Sequence, residues 1–243
     1  MRHDGRKPTQ MRLVKLTKSI NRYAEGSCLV EFGNTRVHCT ASVENQIPRW
    51  RDAAEGGWVT GEYDMLPRAN RERGNRSGGR GGRAQEISRL IGRSLRAVTD
   101  LKLMPGLTVS IDCDVLQADG GTRTAAITGG FVALADALTW CKDKKMIKRI
   151  PLLDTIAAIS VGIVDDEILL DLDYQEDKQA SVDANFVITG EGRLVEVQAT
   201  GEEATFTTEQ LGELLAMAQT GVRKLTKIQR HELGRLHLLG TPS

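Results

Sequence analysis

Two runs of alternating apolar and polar residues, Ser27 to Phe32 and Thr35 to Val43, flank the pair Gly33-Asn34. The alternation has the period of a half-buried strand, and such a pair between two runs signals a β-hairpin. A later run, Leu107 to Leu116, sets Val109, Ile111, Cys113 and Val115 on one face, and Trp58 to Tyr63 offers a further strand. The period then changes. Ile87, Leu90, Ile91, Leu95 and Val98 recur at helical spacing within Ala84 to Thr99, and Thr124 to Cys141 reads as an apolar, Ala-rich helix. After a basic connector, Lys142 to Lys148, and Pro151, strands are predicted at Thr155 to Val164, Glu167 to Tyr174, Ser181 to Thr189 and Leu194 to Ala199. A last helix runs from Thr208 to about Leu225, capped by Thr207 or Thr208 with Glu209 and Gln210 in its first turn. The tail beyond Arg230 is polar and expected to be loosely held.

The order of elements describes an α/β protein in which strands outnumber helices in each half. The connector divides residues 1–148 from 149–243, with hints of duplication but no clean residue-level repeat. A chain of 243 residues can bury a full core as one large domain or two small ones. The N-terminus lacks an apolar signal-peptide core, and no stretch is expected to supply the about 20 apolar residues needed to cross a bilayer. Cys28, Cys39, Cys113 and Cys141 are widely separated within apolar patterns. They read as buried free thiols of a reducing cytoplasm rather than zinc ligands.

Candidate chemistry starts at Asp119-Gly120-Gly121-Thr122-Arg123-Thr124, where a strand ends and a helix opens. A helix N-terminus presents unpaired N–H groups and the positive end of the dipole, so a phosphate there would also meet a hydroxyl and a guanidinium. A second signal agrees. Formal net charge is only +1, yet Arg68, Arg71, Arg73, Arg76, Arg80, Arg83, Arg89, Arg93 and Arg96 crowd one stretch, opposed there by Glu72 and Glu86. Arginine suits bidentate phosphate recognition, and glycines between Gly74 and Gly82 make the middle of the run a flexible loop. RNA or DNA is the expected partner class. Arg83 stands at a helix entrance, a second cation for the same anion.

In Ala180 to Thr189 the polar positions Ser181, Asp183 and Asn185 alternate with Val182, Ala184, Phe186 and Ile188. A carboxylate in mid-strand points to a site or a buried network. Glu176-Asp177-Lys178 is read as closing the preceding strand, where Asp177 can approach Asp183 or be an ordinary acidic turn. Two such carboxylates suit Mg²⁺ with oxygen ligands, while Asp112 and Asp114 compete for that role. No histidine lies in a nucleophile motif, and no Gly-Lys-Ser/Thr follows the glycines as a Walker loop requires.

The segments DGRKPTQMR, GSCLVEFGNTRVHCTASVE, GGRAQEISRLIGRSLRAV, IDCDVLQADGGTRTAAITG, LLDLDYQEDKQASVDANFV and LVEVQATGEEATF resemble the ribonuclease PH family of phosphate-dependent 3′ to 5′ exoribonucleases. The resemblance runs from about Asp4 to about Lys227 and implies a ribosomal-protein-S5-domain-2-like α/β (α+β) fold, with duplicated strands-plus-helix halves forming one unit over 1–243. It implies phosphate binding by Arg83, Gly121, Thr122 and Arg123, catalytic or Mg²⁺-holding roles for Asp177 and Asp183, and release of nucleoside diphosphates from the 3′ ends of tRNA precursors and other structured RNA. Arg68, Arg71, Arg73 and Arg76 would guide the RNA strand. It further implies inorganic phosphate as co-substrate, no membrane, and a cytoplasmic homohexamer built as a trimer of dimers. Two rival classes are a non-catalytic RNA-binding subunit of an exosome-like ring and a hydrolytic nuclease. His3 stands where a proline is more usual in the family, and the loop from Gly74 to Gly82 falls where the family varies.

Overall fold

The computed structural model describes residues 2–75, 81–202, 204–234 and 238. Its first half carries strands β1 (Val14–Lys18), β2 (Gly26–Phe32), β3 (Thr35–Glu44), β4 (Trp58–Met65) and β5 (Thr108–Gln117), with helices α1 (Gly82–Ala97) and α2 (Thr122–Asp143). The strands form one sheet in the order β1-β2-β3-β5-β4. The hairpin at Gly33-Asn34 pairs β2 with β3, and β3 continues antiparallel to β5. β4 and β5 are parallel, because α1 carries the chain across between them. Val109, Ile111, Cys113 and Val115 all face the core.

The second half repeats the alternation of strands and helices with β6 (Ile156–Val164), β7 (Glu167–Leu170), α3 (Tyr174–Gln179), β8 (Val182–Thr189), β9 (Leu194–Gly201) and α4 (Thr208–Leu233). Its sheet has the order β7-β6-β8-β9 and is antiparallel throughout. α2 lies between the two sheets, packed on β2 and β3 on one side and β6 on the other. That position explains its composition: nearly all of it from Thr122 to Leu138 is buried. It corrects the expectation that no stretch approaches a membrane span. α2 is long and apolar enough by length and composition, but its apolar surface is covered by the protein's own sheets.

Two further expectations are corrected, and one strand is added. β7 stops at Leu170 instead of Tyr174, so Glu176, Asp177 and Lys178 belong to α3 and do not close a strand. Asp173 starts that helix: its carboxylate accepts from the amides of Gln175 and Glu176, while Glu176 accepts from the Asp173 amide. Alternation of Ile168, Leu170, Leu172 and Tyr174 concealed this capping box, because period 2 runs straight through the strand end. β1, not anticipated, has only Val14 and Leu16 as apolar residues among polar neighbours. α4 continues to Leu233, well past Leu225. Gln229 interrupts its apolar stripe yet is fully buried, donating to the carbonyls of Thr128 and Ile156 at 3.0 and 2.8 Å.

Candidate active site

The Gly-Gly turn is shaped by backbone that side-chain-bearing residues avoid. Gly120 and Gly121 have φ of +75° and +65°, and Gly121 is the left-handed N-cap of α2. No side chain caps the helix, which leaves first-turn amides for an outside acceptor. Thr122 is held from below by Tyr63, whose hydroxyl lies 2.8 Å from the Thr122 hydroxyl. Thr35 grips the turn from the hairpin, donating to the Gly120 carbonyl at 2.7 Å and accepting from the Asp119 amide at 3.0 Å.

The turn forms one wall of a cleft of about 860 Å³ between the halves. Arg83, Gly121, Thr122 and Arg123 line the cleft from the first half, and Asp177 and Asp183 line it from the second. All six residues expected at a phosphate and acidic site therefore meet in one cavity. Arg83 is the second residue of α1 and is exposed to the cleft. Arg123 reaches across to β9, where one guanidinium nitrogen donates to Gln198 at 2.6 Å and lies 3.7 Å from Glu86.

Burial pushes the Asp177 carboxyl above its ordinary value, against the opposing pull of Arg83 and Arg123. For Asp183, burial and the neighbouring Asp177 charge raise it to about 6. Its Oδ2 accepts from Asn185 at 3.3 Å, whereas Oδ1 is buried without a hydrogen-bond partner. An orphaned buried carboxylate oxygen beside a second carboxylate is a donor set that fits a hard divalent cation. Asp112 and Asp114, the competing candidates, lie on the sheet face opposite the core, in register with Glu62 and Asp64 of β4 and outside the cleft.

Among the basic residues, Arg68, Arg71 and Arg73 are exposed on the segment after β4, next to Asn70 at the cleft rim. Arg76 lies outside the described residues. Arg93 pairs with Glu196 at 2.8 Å, and Arg96 stacks on Trp58 while donating to the Val59 carbonyl, so these two serve the fold.

His3, Asp173 and Glu176 also come together within reach of one ion. Both Glu176 oxygens already accept from Arg2 at 2.6 Å, and Arg6 adds a third bond at 3.1 Å. With Asp173 capping α3, this cluster is an ion-pair network. Sequence reasoning assigned no role to Tyr63, or to the N-terminal arginines beyond their place in a family segment. Their signal would have been cations in a stretch otherwise unremarkable for secondary structure.

Domain 1 of the 3′ exoribonuclease family matches residues 10–139, and domain 2 matches residues 154–221. The chain belongs to that 3′ exoribonuclease family. Among its relatives, ribonuclease PH of Methylobacterium radiotolerans is 54% identical over 236 residues, 96% of this chain and 100% of that protein. Ribonuclease PH of Methylocella silvestris is 54% identical over 233 residues, 95% and 98% of the two chains. The crystal structure of rice Rrp46 superposes with a TM-score of 0.80 at 22% identity, covering 96% of this chain and all of that one. A chain of the Archaeoglobus fulgidus exosome with RNA bound to its active site gives the same TM-score and identity, covering 93% and 91%. The fold is the ribosomal-protein-S5-domain-2-like α/β arrangement.

Proposed function

We propose that this cleft is the active centre of a phosphate-dependent 3′ to 5′ exoribonuclease. The enzyme is a nucleotidyltransferase that shortens the 3′ ends of tRNA precursors and releases nucleoside diphosphates. The observation that carries the assignment of the site is the meeting of an uncapped helix N-terminus and two arginines with an acidic pair across one cavity.

Inorganic phosphate sits at the first-turn amides of α2, with Arg83, Arg123 and the Thr122 hydroxyl as partners. An oxygen of hydrogen phosphate attacks the last phosphodiester phosphorus, the bond to the preceding 3′ oxygen breaks, and that oxygen leaves as the 3′ hydroxyl with the proton that the hydrogen phosphate gives up. Attack of one anion on another is slow unless charge is neutralised and geometry fixed, which the two guanidiniums and the turn supply. Since one phosphoester linkage replaces another, the step is reversible. Asp177 and Asp183 would hold Mg²⁺, which when bound neutralises charge on the reacting phosphates. Arg68, Arg71, Arg73 and Arg76 guide the RNA strand to the rim. Residues 1–243 act as one unit, the phosphate turn coming from 1–148 and the acidic pair from 149–243. The assembly we propose is a homohexamer, a trimer of dimers, and the four free, buried thiols of each subunit suit a reducing cytoplasm.

Incubating the protein with a 3′-extended tRNA, with and without phosphate, tests this reading. Nucleoside diphosphate released only with phosphate is expected. Monophosphate released without it would identify a hydrolytic nuclease, and RNA retention without release a non-catalytic ring subunit.

A further inference from the structure

Arg12 precedes β1 and is only 8% exposed. Its Nη2 and Nε donate to the two carboxylate oxygens of Asp171 at 2.6 and 3.0 Å, and its amide adds a third bond at 2.8 Å. Its Nη1 faces the other way and donates to the carbonyls of Asp119 and Gly120 at 2.5 and 3.4 Å. One planar fork therefore joins the Gly-Gly turn of the first half to the connection between β7 and α3 in the second. Asp171 is fully buried, has a left-handed φ of +58°, and lies two residues before the Asp173 cap of the helix that bears Asp177. Its own carbonyl accepts from Arg2 and Arg6, at 3.0 and 2.8 Å, which anchors it from the far side.

We propose that Arg12, anchored by Asp171, is a positioning residue for phosphorolysis: it sets the separation between the phosphate turn and the helix carrying Asp177, touching neither substrate. This rests on the function proposed above. Only a guanidinium offers five donors in a rigid fork that can serve a carboxylate and the turn carbonyls at once, so lysine cannot replace it. Loss of the turn bonds shifts the seat of the nucleophile relative to the acidic pair, a displacement to which rate is steeply sensitive.

The test is steady-state phosphorolysis of a 3′-extended RNA at varied phosphate, well below each protein's Tm, for Arg12→Lys and for Arg12→Met combined with Asp171→Asn. The second variant removes both charges together, so neither is left buried alone. For each variant that folds, kcat/KM for phosphate is expected to fall about 10²-fold while RNA Kd stays within about twofold. A folded variant with kcat/KM for phosphate within about threefold of wild type and only a lowered Tm would show a purely structural role and overturn the proposal. Failure of both variants to fold would also count against it, since the pair would then be required by the fold itself. Wild-type turnover without phosphate would instead defeat the functional reading, whatever the variants do.

Discussion

The α-carbon of Gly120 lies against the backbone of Asp173, so that a Cβ there would fall 2.6 Å from the Asp173 carbonyl carbon and 2.8 Å from the Tyr174 amide nitrogen. The Gly-Gly turn is thus seated directly on the start of the helix that carries Asp177. Both obstructing atoms are backbone and cannot rotate away, and φ of +75° adds strain for any residue with a side chain. Gly120→Ala is expected to lower kcat/KM for phosphate by at least about tenfold and stability by about 1–3 kcal/mol. Phosphate-dependent kinetics beside a denaturation curve will check it; near-normal values in both would mean the turn can move off α3 freely.

Arg123 is proposed to bind phosphate while one of its nitrogens holds Gln198. Its replacement by alanine should abolish phosphate-dependent shortening, a loss of about 10²-fold or more, because Arg83 alone leaves the approaching anions one guanidinium short of the charge neutralisation they need. RNA retention should be nearly unchanged. Filter binding alongside a phosphorolysis assay separates the two, and full activity in Arg123→Ala would contradict the site.

Asp183 joins activity to a cost in stability. Burial and Asp177 raise its carboxyl to about 6 from an ordinary 3.8, so the folded state binds more protons than the unfolded state between those values. Stability from this group is therefore greatest at low pH and declines as pH rises through about 6. Asp183→Asn removes the buried charge and should stabilise the protein by about 1–2 kcal/mol at pH 8, after allowance for partial solvent screening, with no gain near pH 4. Turnover should be lost. Chemical denaturation at both pH values together with an activity assay checks the sign, and an unfolded Asn variant would favour a buried structural network instead.

How much of this was legible in the sequence differs from element to element. β2, β3 and β5 were plain, since one face of each packs on α2 and the residues alternate accordingly. The Gly-Gly turn was visible as a candidate because a hydroxyl and an arginine follow it at a helix start and a second arginine cluster agrees; the glycine pair alone reads equally well as a tight turn. α3 was not, because the six-residue helix Tyr174–Gln179 lies within a period-2 pattern and is fixed by Asp173 capping it and by Arg2 and Arg6 from the distant N-terminus. Contacts between residues some 170 positions apart leave no local pattern. The same reason hid Arg12 and Tyr63, which act on the turn from β1's approach and from β4. Asp183 was legible as an anomaly, a carboxylate in mid-strand, but only the fold shows which oxygen lacks a partner.

Glu176 connects the N-terminal arginines to acid stability. Burial alone would raise its carboxyl, but hydrogen bonds from Arg2 and the Asp173 amide, with the charges of Arg2 and Arg6, bring it below its ordinary 4.5. Its contribution is then complete above that value and lost as pH falls through the lower folded value. Glu176→Gln leaves two nearly buried guanidiniums short of a countercharge and should cost about 3 kcal/mol at pH 7. Its Tm should also depend less on pH below about 5 than the wild-type Tm does. Thermal melts from pH 3 to 7 measure both; parallel curves for the two proteins would remove the ion pair from the account of acid unfolding.

The exposed arginines after β4 are expected to act on RNA through charge rather than on the chemical step. Replacing Arg68, Arg71 and Arg73 together by alanine removes three cations that bear no part of the core. For single strands each phosphate contact contributes about 0.7 to the slope of log affinity against log salt, so the triple variant should flatten that slope by about 2 and weaken retention of a 3′-extended tRNA at low salt. In the proposed site phosphate is held by Arg83, Thr122 and Arg123, which this variant leaves intact, so kcat at saturating RNA should stay within about threefold of wild type. Salt titrations of RNA binding measured beside kcat decide the matter. An unchanged salt slope would place the RNA path elsewhere on the subunit, and a collapse of kcat at saturating RNA would move these arginines from guidance into the reacting centre.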